Sequence, residues 1–330
     1  MIGDAGERDT TGSTLLALKN ELLKNPNSAV IFLGDNCYKK ILGGIVNLEM
    51  KGFDKSKLAK KRMMSQINSL EGYKGAAYFV PGNHDWWNRI SIKKGKKVLL
   101  REEQFVESAL RIFPNLNNNA EETFLPKNGE PGPVTKEFGN KSIRIIFIDT
   151  YRLILEETRN KKKNEILDKF YAELKSELVE AELKNQKIIL IAHHPIVAKG
   201  KHSQPMPFSQ KISKRFANSN INYKPYKKIA GIIDSLIKPY SKLGVYFISG
   251  HEHSLEYMVK DGIHYIISGA GSKIDKVKFN DICIPNECLM WNQEGFFEID
   301  FNENNESVFL FHDSGDKKGI SSKCVQGCEN

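Results

Sequence analysis

The sequence predicts an α/β fold in which two mixed β-sheets stack face to face between helices, a four-layer αββα sandwich. Three observations lead to this prediction. Short apolar runs recur as far as Ser249, each run ends in turn-forming or polar residues, and amphipathic helical patterns separate the runs. Such alternation is typical of βαβ units, whose helices cover the faces of a sheet.

The elements follow one another in a regular order. A helical pattern at Thr14–Leu23 precedes the first apolar run, Ala29–Gly34, and a second helical pattern at Lys57–Leu70 follows it. Apolar residues spaced three and four apart predict the helices, whereas short uninterrupted apolar runs predict buried strands. The other predicted strands are Ala76–Val80, Ser142–Ile148, Lys187–Ala192 and Leu243–Ser249, and the other predicted helices are Arg101–Phe113, Glu165–Lys184 and Tyr226–Pro239.

The pattern changes after Ser249. The short strand patterns EYMVK, IHYIIS, GFFEIDF and SVFLFH follow one another with glycine- and asparagine-rich turns and no helix between them. Strands connected this directly are typical of antiparallel sheets, so we expect these four to form the second sheet. We expect one domain over residues 1–312, with a first strand shortened to its last residues, and a polar tail over 313–330.

The composition is that of an ordinary globular protein with a basic surface. The chain has 330 residues, of which 40% are hydrophobic and 27% charged, and its formal net charge is +9. A basic surface attracts anionic substrates such as phosphate esters. The clusters Lys93–Lys97 and Arg159–Lys163 contain no aromatic residues, so we expect no nucleic-acid partner.

The sequence shows no apolar run of the ~20 residues needed to cross a bilayer, and no recognisable signal peptide. Five cysteines are too few for a disulfide scaffold in a chain of this length. Cys283 with Cys288, and Cys324 with Cys328, could be oxidised pairs or free thiols. The oligomeric state stays open.

Five short polar motifs lie at the carboxyl ends of predicted strands, where ligands bind in α/β sheets. Any one of these motifs is common by chance, but five in order on different strands indicate a shared site. Their Asp, Asn, Tyr and His side chains are the ligands of metal sites. The motifs are GDAG from Gly3, GDNCY from Gly34, GNHD from Gly82, AHHP from Ala192 and GHEH from Gly250.

The motif series resembles the calcineurin-like metallophosphoesterase superfamily, and within it the purple acid phosphatase branch, which includes the tartrate-resistant acid phosphatases. Many members begin with Asp-x-His, whose histidine binds the first metal, but here Asp4 is followed by Ala5 and Gly6. Purple acid phosphatases lack the same histidine and use a tyrosine three residues after the second-motif aspartate, where this chain has Tyr38. The segment HYIISGAGSK, from His264, is also similar to the tartrate-resistant enzymes.

The resemblance implies a binuclear metal centre bridged by Asp35. It assigns three further ligands to each metal: Asp4, Tyr38 and His253 to one, and Asn83, His193 and His251 to the other. A bridging carboxylate keeps two cations about 3.5–4 Å apart, a distance that clamps both sides of a phosphoryl group. The phenolate of Tyr38 favours Fe(III) at its position, whereas the mixed N/O set of the other position suits Fe(II), Zn(II) or Mn(II).

Further polar residues accompany these ligands. The resemblance implies that His84 protonates the leaving group, and that Asp85 orients its imidazole and raises its pKa. His202 is expected to be an additional acid or phosphate contact, because related enzymes carry a histidine in that loop. His194 is either a substrate or outer contact or a structural residue, and Asp149 is expected to be a buried acceptor.

The predicted reaction is hydrolysis of a small phosphate monoester by a metal-bound hydroxide, as in acid phosphatases. A phosphodiesterase or nucleotide hydrolase with the same site is the alternative, and a non-catalytic binding module on the same fold is a more distant one. The long loops Pro114–Lys136 and Ala198–Tyr223 are expected to flank the site and to set its substrate. The resemblance favours an extracytoplasmic or periplasmic location.

Overall fold

The computed structural model describes most of the chain. The described residues are 1–8, 11–38, 41–42, 45–46, 53, 56–87, 91–113, 115–159, 164–205, 220–275, 282–284, 288–301, 306–312 and 317–320. Their helices are α1 (Ser13–Lys24), α2 (Lys57–Asn68), α3 (Ile92–Leu110), α4 (Thr150–Thr158), α5 (Glu165–Leu183) and α6 (Lys224–Ile237). Ser56, Ser91, Asp149 and Asn164 cap α2 to α5 by accepting hydrogen bonds from first-turn amides.

The strands confirm the predicted alternation and extend it. The first eight are β1 (Ala29–Phe32), β2 (Ile41–Leu42), β3 (Ile45–Val46), β4 (Ala76–Phe79), β5 (Val134–Phe138), β6 (Ile143–Phe147), β7 (Lys187–Ile191) and β8 (Val245–Ser249). The others are β9 (Leu255–Lys260), β10 (Ile263–Ser268), β11 (Ile282–Ile284), β12 (Cys288–Trp291), β13 (Gly295–Phe301), β14 (Glu306–His312) and β15 (Lys317–Ile320).

The large sheet is mixed and has the order β11-β12-β9-β10-β8-β7-β6-β5. Its central strands β10, β8, β7 and β6 are parallel, and antiparallel strands flank them on both sides. Helices α4, α5 and α6 cover its outer face, where Leu153, Leu174 and Ile233 are fully buried against the strands. Parallel strands covered in this way agree with the near-continuous apolar runs of the sequence.

The second layer of strands is built around the start of the chain. Ile2 bridges to Phe32 at the end of β1, which pairs in parallel with β4. On its other side Met1 exchanges backbone hydrogen bonds with Phe297 of β13. Helices α1, α2 and α3 pack on the outer face, and a third apolar cluster fills the space between the two layers of strands. The four-layer sandwich is therefore confirmed.

The assignment of strands to sheets differs from the sequence-based prediction. The segments EYMVK and IHYIIS lie in β9 and β10 of the large sheet, because β10 pairs in parallel with β8. The segments GFFEIDF and SVFLFH form β13 and β14 of the other layer. The four segments thus belong to two sheets, and the prediction that they form one was wrong.

Three boundaries also differ. Helix α3 begins nine residues before the predicted start, because Ser91 caps it and Gly95 and Leu99 extend its buried face. Strand β5 occupies the end of the predicted loop Pro114–Lys136 and pairs with β6. Residues Lys317–Ile320, in the segment expected to be a polar tail, form strand β15 and pair with β14. The pair Cys324 and Cys328 lies outside the described residues. Among the described helices, none has both the length and the apolar character needed to cross a bilayer.

Candidate metal centre

Seven polar side chains meet at one edge of the sandwich, where β1, β4, β7 and β8 end. Because parallel strands present their carboxyl ends at the same edge, the motifs that follow them converge. All seven are buried, with at most 7% of their surface exposed. The seven residues are Asp4, Asp35, Tyr38, Asn83, His193, His251 and His253, so the structure brings together the whole predicted ligand set.

The loops that carry these side chains are tightly constrained. Asp4, Asp35 and His251 have φ values of 57°, 51° and 72°, in the left-handed region that costs about 1 kcal/mol or more for a non-glycine residue. Gly82 is required by close packing, because a Cβ there would lie 2.2 Å from the backbone nitrogen of Asp35. Such strain persists only where the surrounding structure enforces it.

The first group of donors, which we call the Tyr38 half, consists of Asp4, Tyr38 and His253. The Tyr38 hydroxyl donates to Asp4 Oδ1 at 2.6 Å and lies 3.1 Å from His253 Nε2. Asp4 Oδ2 accepts a hydrogen bond of 2.7 Å from the His251 backbone amide. Three donor atoms therefore face one point, and two of them are oxygens that can carry negative charge.

The second group, the Asn83 half, consists of Asn83, His193 and His251. Asn83 Oδ1 lies 3.1 Å from His193 Nε2 and 3.0 Å from His251 Nδ1. The two imidazole nitrogens are 3.3 Å apart. This half contains no carboxylate of its own.

Asp35 lies between the two halves. Its Oδ1 is 3.4 Å from His193 Nε2 in the Asn83 half and accepts a 2.8 Å hydrogen bond from the His84 backbone amide. One oxygen each of Asp4 and Asp35 and one nitrogen of His193 also lie within 4.8 Å of one another. This is the placement that a bridging carboxylate requires.

Burial and mutual repulsion determine the charges of the acidic groups. Burial, reinforced by the neighbouring Asp35, raises the pKa of Asp4 well above its usual value. Burial and the nearby Asp4 likewise raise the pKa of Tyr38. Burial opposes ionisation of Asp35 too, but the imidazoles of His193 and His84 outweigh it and lower the pKa of that carboxyl.

Hydrogen bonds orient two of the imidazoles. His193 Nδ1 lies 2.8 Å from the carbonyl oxygen of Leu33, to which it donates, so the lone pair of Nε2 faces Asn83. His253 Nδ1 lies 2.9 Å from Asp275 Oδ2, which leaves Nε2 facing Tyr38. Asp275 was not predicted, because it follows no strand directly and belongs to none of the five motifs.

The donor arrangement fits metal cations. The lone pair of His193 Nε2 faces Asn83 Oδ1 at 3.1 Å, a contact that a cation between the two atoms makes favourable. Donors at the corners of a tetrahedron or octahedron with bonds of about 2.1 Å lie about 3.0–3.4 Å apart, which is the spacing of this half. In their ionised forms, the buried carboxyls and the phenol of Tyr38 would likewise be stabilised by positive charge.

Asp85 connects two loops of the centre. Its carboxyl group accepts hydrogen bonds from the backbone amides of Gly82, Asn36 and Cys37, and from the Asn36 side chain. Burial and the nearby Asp35 raise its pKa to about 8. Asp85 therefore joins the two loops that carry Asp35 and Asn83, and the expectation that it orients the His84 imidazole stays a prediction.

His84 and His202 lie at the open side of the centre. The His84 ring stacks at a tilt against Tyr38, with centroids 4.6 Å apart, and its Nε2 is 3.9 Å from Asp35 Oδ2. The His202 ring lies 4.8 Å from the ring of His251. Burial, with a smaller contribution from His253, lowers the pKa of His202 to about 4.

Two further candidates lie around these donors. His194 Nδ1 lies 2.9 Å from the Thr150 hydroxyl, its ring is 4.4 Å from that of His251, and one of its nitrogens is within 4.8 Å of a nitrogen of His193 and of His251. Asp149 is a buried acceptor, as expected: it accepts hydrogen bonds from Trp86 Nε1 and from the amide of Arg152.

The sequence profile described as Calcineurin-like phosphoesterase matches residues 2–269. The chain belongs to this family. The match begins at Ile2 and ends just beyond β10, so it includes all seven side chains that converge at the edge of the sandwich, from Asp4 to His253. No curated protein sequence matches the chain.

Solved structures with the same fold include proteins of different kinds. GAP50, the anchor in the inner membrane complex of Plasmodium, is 18% identical with a TM-score of 0.56, and the match covers 94% of this chain and 83% of that one. A dimetal phosphatase from Danio rerio is 13% identical with a TM-score of 0.51, covering 97% of both chains. PhoD is 12% identical with a TM-score of 0.56, covering 98% and 72%. At these identities the likeness concerns the fold.

Proposed function

We propose that this phosphoesterase is a binuclear-metal hydrolase of the purple acid phosphatase type, which cleaves phosphate monoesters. The observation that carries the proposal is the convergence of seven metal-ligand side chains on two adjacent points, with Tyr38 in the place of the missing first-motif histidine. Membership of the family supports the phosphoester chemistry, and the neighbour described as a dimetal phosphatase supports two metals.

The two halves would hold different metals. Asp4, Tyr38 and His253 offer hard anionic oxygens that suit Fe(III), and the amide and imidazoles of the Asn83 half suit Fe(II), Zn(II) or Mn(II). When bound, such a pair polarises the phosphoryl group and lowers the pKa of water. The protein's part is to keep Asp35 between the halves and to hold both sets of donors in a buried site.

Metal binding must displace protons from this site. The Tyr38 hydroxyl donates to Asp4, and the pKa values of both groups are raised. A metal binds the ionised forms of these groups, so uptake into the Tyr38 half releases protons and becomes stronger as the pH rises.

The two histidines at the open side have separate tasks. The His84 side chain is 28% exposed and lies beside Asp35 and Tyr38, where it can donate a proton to a leaving alkoxide. His202, with a pKa of about 4, is neutral near neutral pH and is poorly suited to the acid role. His202 therefore positions the ester as a neutral imidazole.

The proposal is tested by metal analysis together with an activity comparison. Protein purified without chelators should contain about two metals per chain, and should hydrolyse p-nitrophenyl phosphate faster than bis-p-nitrophenyl phosphate. Faster cleavage of the diester would make the protein a phosphodiesterase with the same centre. Less than one metal per chain, with no activity after addition of iron, zinc or manganese, would refute the proposal.

A further inference from the structure

Lys273 places a positive charge beside the Tyr38 half. Its Nζ lies over the Tyr38 ring, 4.8 Å from the centroid, and the side chain is half-buried. The same charge favours the ionised form of Asp4 and the neutral form of His202, although burial is the larger influence on the pKa of each group.

The backbone holds this lysine firmly. The preceding Ser272 donates its hydroxyl proton to the carbonyl oxygen of Asp4 at 2.7 Å, and the amide of Gly271 donates to the Gly3 carbonyl at 3.0 Å. A Cβ on Gly271 would lie 2.5 Å from that carbonyl, so the turn packs directly against the Asp4 loop. The backbone just before Lys273 is thus held against the loop that carries Asp4.

Lys273 forms no salt bridge with a carboxylate in the described part of the chain. Lys201, at the same rim, differs in this respect, because its Nζ pairs with Asp275 Oδ1 at 3.0 Å. An ammonium group close to a centre for two cations is electrostatically unfavourable unless an anion joins them. The alternative is that Lys273 only stacks on the Tyr38 ring through a cation–π contact.

We propose that the Lys273 ammonium binds a non-bridging phosphate oxygen of the substrate and makes the site selective for dianionic phosphate monoesters over monoanionic diesters. This inference rests on the proposed function and deepens it. Near pH 7 a monoester carries about one more negative charge than a diester, since its second pKa is about 6. Lys273 would interact with that additional charge, which a diester lacks.

The test compares Lys273→Met with Lys273→Arg in the metal-loaded full-length protein at pH 7. Lys273→Met should lower kcat/KM for p-nitrophenyl phosphate about 10- to 100-fold, and that for bis-p-nitrophenyl phosphate no more than about threefold. Lys273→Arg keeps the charge and should retain most of the selectivity. Metal content and the melting temperature, measured for each variant, show that the centre is intact.

Two control variants separate local binding from general attraction of anions. Lys184→Met removes one charge at the end of α5, just before β7 begins. His193 follows the other end of β7, so Lys184 lies at the opposite edge of the sheet from the centre. It should change neither rate by more than about twofold. Lys201→Met removes a charge at the same rim that Asp275 already neutralises, so its effect should be smaller than that of Lys273→Met.

A binding measurement provides a readout that does not depend on turnover. Calorimetric titration of the metal-loaded protein with inorganic phosphate should show at least about tenfold weaker binding in Lys273→Met and unchanged binding in Lys184→Met. Equal losses for monoester and diester, or unaltered phosphate binding, would overturn the inference. If the wild type cleaved neither ester, the proposed function would fail, and phosphate binding by the variants would still decide the role of Lys273.

Discussion

The two halves of the candidate metal centre lie on either side of Asp35 and differ in their donor groups. The Tyr38 half holds a carboxyl and a phenol, whose pKa values are both raised. The Asn83 half holds a neutral amide and two imidazoles, and burial lowers the pKa of His193. One half must therefore lose the protons of its acidic groups to bind a metal, whereas the side chains of the other bind a metal in their neutral forms.

The surroundings of the halves differ in the same way. Behind the Tyr38 half stands the carboxylate of Asp275, and above it the ammonium of Lys273. Behind the Asn83 half stand the carbonyl oxygen of Leu33 and the ring of His194. Loops from one edge of the sandwich thus present two donor sets a few ångströms apart. One set contains oxygens that can become anionic and suit hard cations, and the other contains neutral donors that suit borderline cations.

The largest effect is expected from Asp35→Asn, which should break both halves at once. Asp35 is the only one of the seven donors assigned to both metals, so its loss should lower metal content at both positions and reduce kcat by at least about 1,000-fold. Metal analysis and p-nitrophenyl phosphate hydrolysis check this. Normal activity in the variant would refute the bridging assignment.

Asn83→Ala should damage the Asn83 half alone. The variant lacks the amide oxygen that faces both imidazoles. The metal of this half should therefore bind at least about 100-fold more weakly, because losing a direct ligand lowers the affinity more than losing a hydrogen-bond partner of a ligand. The first metal and its visible colour should remain. Parallel loss of both metals would show that the halves are not separable.

Tyr38→Phe should affect the Tyr38 half and leave the Asn83 half intact. Without the phenolate, the visible absorption band expected for iron at this half should disappear, while the Asn83 half should still bind its metal. Absorption spectra of iron-loaded protein, with Asn83→Ala as the matched control, provide the measurement. A band that persists unchanged would mean that Tyr38 is not bound to iron.

The smallest effect is expected from Asp275→Asn, which alters only the partner of His253. A carboxylate partner orients a metal-binding imidazole, and its replacement should weaken metal binding in the Tyr38 half about tenfold. Titration with a competing chelator measures this. Since Asp275 lies against His253 of the Tyr38 half, an equal weakening of the Asn83 half would contradict the comparison.

The central strands, the polar motifs after them and the position of Tyr38 within one of those motifs could be predicted from the sequence alone. These features are local: an apolar run, a turn and a few polar residues show where a strand ends and which ligand types it presents. Because parallel strands end at one edge, the convergence of Asp35, Asn83 and His193 could also be predicted without coordinates.

The contacts between segments far apart in the chain were not predictable and became visible in the folded structure. Strand β10 joined the large sheet beside β8, Asp85 turned towards backbone amides, and Asp275 and Lys273 reached the Tyr38 half from a turn outside the five motifs. No local periodicity encodes such contacts. They depend on packing between residues far apart in the chain, and that packing exists only once the two layers of strands have closed on each other.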